Sequence, residues 1–201
     1  YKQVNEEFCK EILKILEPGD IVWIHDYHLM LLPKMLRDRV PETAIGFFLH
    51  IPFPSYEVFR LLPSRWRKAI LEGMLGADLI GFHTHDYTQY FAKCVSRITG
   101  HEHNMNRINV GDHLARADTF PMGIDFDKFN SAAGSPQVAG KIEEIRRTLR
   151  GYKIVLSVDR LDYTKGIVNR LRGYEAFLES SPDWHGKVTL IAVVVPSRIK
   201  M

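Results

Sequence analysis

The 201-residue chain is 45% apolar, enough to bury a core, and its 27 Lys and Arg against 24 Asp and Glu leave a net charge of +3. So even a balance excludes nucleic acid and an anionic membrane surface as expected partners. Its two cysteines, Cys9 and Cys94, stand alone inside helix-like segments, which excludes a disulfide framework and a thiolate metal site and makes a reducing cytoplasm the expected location.

No apolar run approaches the roughly 18 residues that span a bilayer, and no signal peptide opens the sequence. It begins at Tyr1 without an initiator Met and stops at Met201 just after a strand-like run, so a piece of a longer protein is expected.

In chain order, Val4 to Leu16 has helical spacing with Val4, Phe8, Ile12, Ile15 and Leu16 facing inward, and Pro18-Gly19-Asp20 closes it. Ile21 to Ile24 is a continuous apolar strand, interrupted by His25-Asp26-Tyr27-His28. Helical spacing then resumes from Leu29 to Val40 with Pro33 in the first turn. A second strand, Ala44 to Leu49, ends in His50-Ile51-Pro52-Phe53-Pro54, whose prolines stiffen the exit. Arg65 to Leu75 reads as helix, Asp78 to Phe82 as strand, and Thr84 to Ile98 as helix. Alternation at this period predicts a parallel sheet with helices on both faces and right-handed crossovers.

The polar stretch Gly100 to Asp112 reads as a surface loop or hairpin, and Ala117 to Phe120 as a weak strand. From Asn130 to Gly140 small residues dominate and periodicity vanishes, so the boundary between two domains, 1–132 and 133–201, is expected there. Lys141 to Leu149 is a charged helix. Lys153 to Val158 is a β-branched strand, Ile167 to Leu178 a helix, and Val188 to Val195 the next strand.

The loop that follows Val158 carries Arg160 and Lys165 ahead of Gly166, at the carboxyl end of a strand and the start of a helix. Ligands sit there in open α/β sheets, and a helix start favours anions. A bidentate fork beside a point charge suits phosphate, although two solvated surface cations would read the same way. Arg198 puts a third cation at a strand end.

His25-x-x-His28 has metal-ligand spacing but no third ligand nearby, so no metal is expected. Asp26 can accept two sugar hydroxyls or cap the following helix. His50 occupies the same place on the next strand, where a structural role is also open. His83, His85, His101, His103 and His113 are dispersed and read as surface residues.

Three stretches together, Ile24-His25-Asp26-Tyr27-His28-Leu29, Gly46 to Pro54 and Ser157 to Ile167, closely resemble trehalose-6-phosphate synthases of glycosyltransferase family 20. Gly81-Phe82-His83-Thr84, Pro121 to Asp125 and Val195-Pro196-Ser197-Arg198 are similar to the same family's intervening blocks. The resemblance covers essentially the whole chain. It implies an α/β protein of the GT-B type, with two Rossmann-like domains built on parallel sheets, both incomplete here.

The activity implied is that of a retaining glucosyltransferase, moving glucose from UDP-glucose to glucose 6-phosphate to give trehalose 6-phosphate and UDP, by front-face attack and without an obligatory metal or cofactor. By resemblance, Arg160 and Lys165 contact the donor diphosphate, His50 lies beside the donor glucose, Asp26 holds acceptor hydroxyls and Arg198 grips the acceptor phosphate. The small-molecule partners are the two substrates, with a homo-oligomer or synthase complex left open. Two alternatives stay open as well: a relative using another acceptor such as glycerol 3-phosphate, and a non-catalytic, sugar-phosphate-binding regulatory subunit.

Overall fold

The computed structural model describes residues 1–149 and 151–196, and they pack as two compact units, Tyr1–Gly123 and Ile124–Met201. In the first, α1 (Lys2–Ile15) precedes β1 (Ile21–His25), a 3-10 turn (Tyr27–Leu29), α2 (Leu32–Arg37) and β2 (Ala44–Phe48). Then come α3 (Tyr56–Phe59), α4 (Ser64–Met74), β3 (Leu79–Phe82), α5 (His85–Thr99), β4 (His103–Asn104), β5 (Arg107–Val110) and β6 (His113–Thr119). The sheet order is β1-β2-β3-β6-β5-β4, with β1, β2, β3 and β6 parallel and the β4-β5-β6 meander antiparallel. The polar stretch after α5 is therefore a hairpin that widens the sheet. Met105 and Asn106 both take positive φ between its strands, as a two-residue turn twisted to match them requires.

Burial corrects two expectations. Along β1, Ile24 is 3% exposed but Trp23 is 67% exposed, so within these 201 residues the helices cover one face of the strand. The core lies on the face of Ile24, Ile45, Phe47 and Ile80, against α1, α2, α4 and α5 side chains such as Cys9, Leu36, Leu71 and Phe91. On α1, Val4, Phe8 and Ile15 are exposed and the inward face carries Asn5 and Cys9. A polar residue takes that face because its bonds are complete: Asn5 Nδ2 donates to the Tyr1 (3.0 Å) and His28 (2.9 Å) carbonyls, and Oδ1 accepts from the Leu31 amide (3.2 Å). Asn5 thereby ties α1 to the segment that follows Asp26.

Two further devices set that segment. A Cβ on Gly73 would lie 2.4 Å from the Met30 carbonyl, and one on Gly76 would lie 2.3 Å from the Lys34 amide, so α4 approaches α2 closely only because both residues lack a side chain. Beyond β2, Phe53 is 2% exposed and stacks edge-on against Phe91 at 5.3 Å. Burying such a ring contributes about 2–3 kcal/mol, and it anchors the exit of β2 just after His50.

The second unit holds α6 (Phe126–Ala132), α7 (Pro136–Leu149), β7 (Lys153–Leu161), a 3-10 turn (Tyr163–Lys165), α8 (Ile167–Ser180), a 3-10 turn (Pro182–Trp184) and β8 (Val188–Pro196). Strands β7 and β8 pair in parallel from Lys153↔Val188 to Leu161↔Pro196, which makes one βαβ crossover on α8. The stretch 130–140, where the sequence shows no periodicity and the domain boundary was expected, is mostly helical, and the break in packing comes earlier, between Gly123 and Ile124. Two caps account for this. Asp125 accepts from the Lys128 amide at 3.0 Å to start α6, and Ser135, ahead of Pro136, accepts from the Val138 amide at 3.3 Å to start α7. Among the described residues of this unit only Ser157 is buried. No helix of the described residues is long and apolar enough to cross a membrane.

Candidate active site at the strand ends

Strand β1 stops where Asp26 turns the chain. Its φ of 70° and ψ of 171° lie in a region that is essentially glycine's and costs a side-chain-bearing residue on the order of 1–3 kcal/mol. Bonds to β2 hold it there. The Asp26 amide donates to the Phe48 carbonyl (2.8 Å), and the Asp26 carboxylate accepts from the His50 amide (3.2 Å). Sequence reasoning placed Asp26 and His50 at adjacent strand ends, and the structure joins them.

Two more histidines meet there. Nδ1 of His25 lies 3.0 Å from Nε2 of His50. His83, at the end of β3, stands edge-on to His50 at 5.6 Å and to Phe48 at 5.0 Å between ring centroids. His83 is therefore not the surface residue expected, because β3 runs parallel beside β2 and brings it alongside. No spacing in the sequence signals that contact; the only sign was its position at the end of an apolar strand. His28 turns to Tyr27, with ring centroids 3.9 Å apart. Among the described residues, no three His, Cys, Asp or Glu side chains are placed to hold a metal ion. Below His25 and His50 opens a cavity of about 490 Å³, walled by Trp23, Phe48, Leu79, Phe120 and Met122, so polar groups rim an apolar floor.

In the second unit, Arg160 belongs to β7, opposite Val195, and not to the loop where it was expected. Only Lys165 lies in the turn, and both side chains are exposed. Gly166, at φ 61°, ends the turn and begins α8 without a side-chain cap, which leaves the first-turn amides for an incoming anion. Asp162 shapes the turn by accepting from the Thr164 amide (2.9 Å) and hydroxyl (2.8 Å). Arg170, which sequence reasoning passed over, pins the turn to the strand: its guanidinium meets the Asp159 carboxylate at 2.8 Å, the Ser157 hydroxyl, and the Lys165 carbonyl at 3.2 Å. The cue was a cation one helical turn beyond a glycine. An open cavity of about 320 Å³ fronts the helix start, lined by Tyr163, Gly166 and Asn169 among others. Arg198, the expected phosphate grip, lies outside the described residues.

The family model for glycosyltransferase family 20 matches residues 1–201. A bifunctional trehalose-6-phosphate synthase/phosphatase from Thermoproteus tenax is 48% identical over 198 residues, covering 98% of this chain and 27% of its own length. An α,α-trehalose-phosphate synthase (UDP-forming) from Burkholderia xenovorans, solved in complex with glucose 6-phosphate, superposes with a TM-score of 0.79 at 31% identity, over 99% of this chain and 44% of that one. A structure from E. coli bound with UDP-2-fluoro glucose gives 0.78 at 34% identity, over 98% and 44%. The chain thus spans between about a quarter and a half of these relatives, and its fold is α/β of their GT-B type.

Proposed function

The chain belongs to glycosyltransferase family 20, and from that premise we propose that it carries part of the site of a retaining glucosyltransferase that makes trehalose 6-phosphate and UDP from UDP-glucose and glucose 6-phosphate. The observation that carries the reading is Asp26, held in a glycine-like conformation by reciprocal bonds to β2. A fold keeps such strain where a side chain must be aimed. The relatives' bound ligands, glucose 6-phosphate and UDP-2-fluoro glucose, support the substrate classes.

In this reading each unit supplies residues to both substrates. Asp26 accepts hydroxyl hydrogens of the acceptor glucose, His50 lies against the donor glucose, and Arg198 pairs with the acceptor phosphate. Arg160, Lys165 and the α8 start stabilise the charge that grows on the leaving UDP. The bond from the anomeric carbon to the UDP oxygen breaks as the acceptor oxygen attacks from the same face, and the departing phosphate takes the acceptor's proton. No metal has a step. The cytoplasm suits two buried, unpaired cysteines.

The test is Asp26→Asn in a full-length trehalose-phosphate synthase carrying this segment. Turnover should fall about a hundredfold, by analogy with the loss of one transition-state hydrogen bond. Near-normal turnover would defeat the assignment.

A further inference from the structure

His50 has a task in the reading above, and His25 has none. Yet His25 is the last residue of β1, in register with Phe48, and its Nδ1 bonds Nε2 of His50 at 3.0 Å. The two rings lie nearly parallel, 28° apart, with centroids 5.2 Å apart. Aromatic rings flank both histidines: Trp23 stands 4.7 Å from His25, Phe48 stands 4.7 Å from His50, and His83 meets His50 edge-on. A histidine at an exposed strand end is otherwise free to swing about two torsions. Here one nitrogen is tied and the ring is flanked, so both torsions are set. The chemical consequence is specific, because the bond made by one ring nitrogen decides what the other can offer.

We propose that His25 is a positioning residue, whose bond to Nε2 holds the His50 ring so that Nδ1, and not Nε2, meets a hydroxyl of the donor sugar. This deepens the role given to His50 and rests on that reading. His25→Phe keeps the ring packed beside Trp23 and removes the bond. His25→Asn carries both an oxygen and a nitrogen on Cγ, where Nδ1 is attached in histidine, and can restore it in either direction.

Two measurements test the proposal. In the 201-residue chain with 15N-labelled histidine, long-range proton–nitrogen spectra should show His50 as a single tautomer that becomes a mixture in His25→Phe. In a full-length trehalose-phosphate synthase carrying this segment, His25→Phe should lower kcat by ten- to a hundredfold, the scale of a reactant misplaced by about an ångström. The KM for glucose 6-phosphate should not change, and His25→Asn should recover most of the loss. Unchanged His50 signals in His25→Phe would overturn the pairing while leaving the proposed transferase intact, and so would an Asn variant as poor as the Phe variant. Normal turnover in His50→Gln, with the tautomer still dependent on His25, would instead remove His50 from the donor site and take the functional half of the inference with it.

Discussion

The backbone amide of His50 donates to the carboxylate of Asp26 at 3.2 Å, so one side chain at the end of β1 fixes the start of the segment leaving β2. Asp26 does this at φ 70°, where an L residue is strained and glycine is not. Asp26→Gly and Asp26→Ala both lose the bond, but only Gly also loses the strain. Alanine ordinarily exceeds glycine in stability by about 0.5–1 kcal/mol. Here the order should invert, with Asp26→Gly more stable than Asp26→Ala by about 1–2 kcal/mol, and neither should support turnover in a full-length trehalose-phosphate synthase carrying this segment. Thermal unfolding of the two variants decides it, and an alanine variant at least as stable as the glycine one would show that the strain is absent.

Arg160→Ala and Lys165→Ala, in a full-length trehalose-phosphate synthase carrying this segment, should each cost about a hundredfold in turnover and weaken UDP-glucose binding. Arg170→Lys keeps the charge but cannot span Ser157, Asp159 and the Lys165 carbonyl together. It should therefore raise the KM for UDP-glucose without abolishing turnover. If both single alanine variants turned over normally, Arg160 and Lys165 would be surface charge only.

How much of this was legible beforehand depends on the range of the contact. Strands ending at His25 and near His50 announce themselves as apolar runs broken by polar residues, and the segment from Ser157 to Ile167 shows a strand, a turn and a helix start in local pattern alone. The exact end of β7 was not legible, because pairing with β8 out to Leu161↔Pro196 extends the strand past the apolar run. His83 was misread and the inward face of α1 misplaced because partners far along the chain define them: the β2 end for one, the His28 and Leu31 backbone bonded by Asn5 for the other. The 130–140 stretch was a different failure, since its small residues hid the Ser135-Pro136 helix start that local rules describe.

Gly73→Ala tests the close approach of α4 to the segment after Asp26. On an isolated helix this change stabilises by up to about 1 kcal/mol. Here the added methyl would meet backbone, the Met30 carbonyl at 2.4 Å and the Leu31 Cα at 2.8 Å, which cannot swing aside. The sign should reverse, to a loss of about 1–3 kcal/mol, measured as a lower denaturant midpoint. A stabilised variant would mean that the helices have room to part.

Burial pushes the Cys94 thiol up from 9.0 to about 11, with Glu57 adding to the shift. The folded state then favours the protonated form, so this contribution to stability is complete below pH 9 and is lost as pH rises through 11. At pH 8 the folded chain should resist iodoacetamide at Cys94, and denaturant should expose it. Rapid modification of the folded chain at Cys94 would contradict its complete burial.

The two units should differ in resistance to proteolysis. The first carries the core that runs from Cys9 to Ala117, and the second buries only Ser157 among its described residues. Apolar burial at roughly 25 cal/mol per Å² must offset chain entropy, and one βαβ crossover with two exposed helices removes little apolar surface from water. Cleavage should therefore begin in the irregular Pro121–Asp125 stretch or around Gly134, between α6 and α7. A protected amino-terminal product ending near Gly123 should accumulate while the remainder is degraded. Proteinase K with mass spectrometry follows this directly, because residues 121–125 are exposed and, like those around Gly134, include no Lys or Arg for trypsin to cut after. A carboxyl-terminal product that outlived the amino-terminal one would require a core in the second unit that its described residues do not contain.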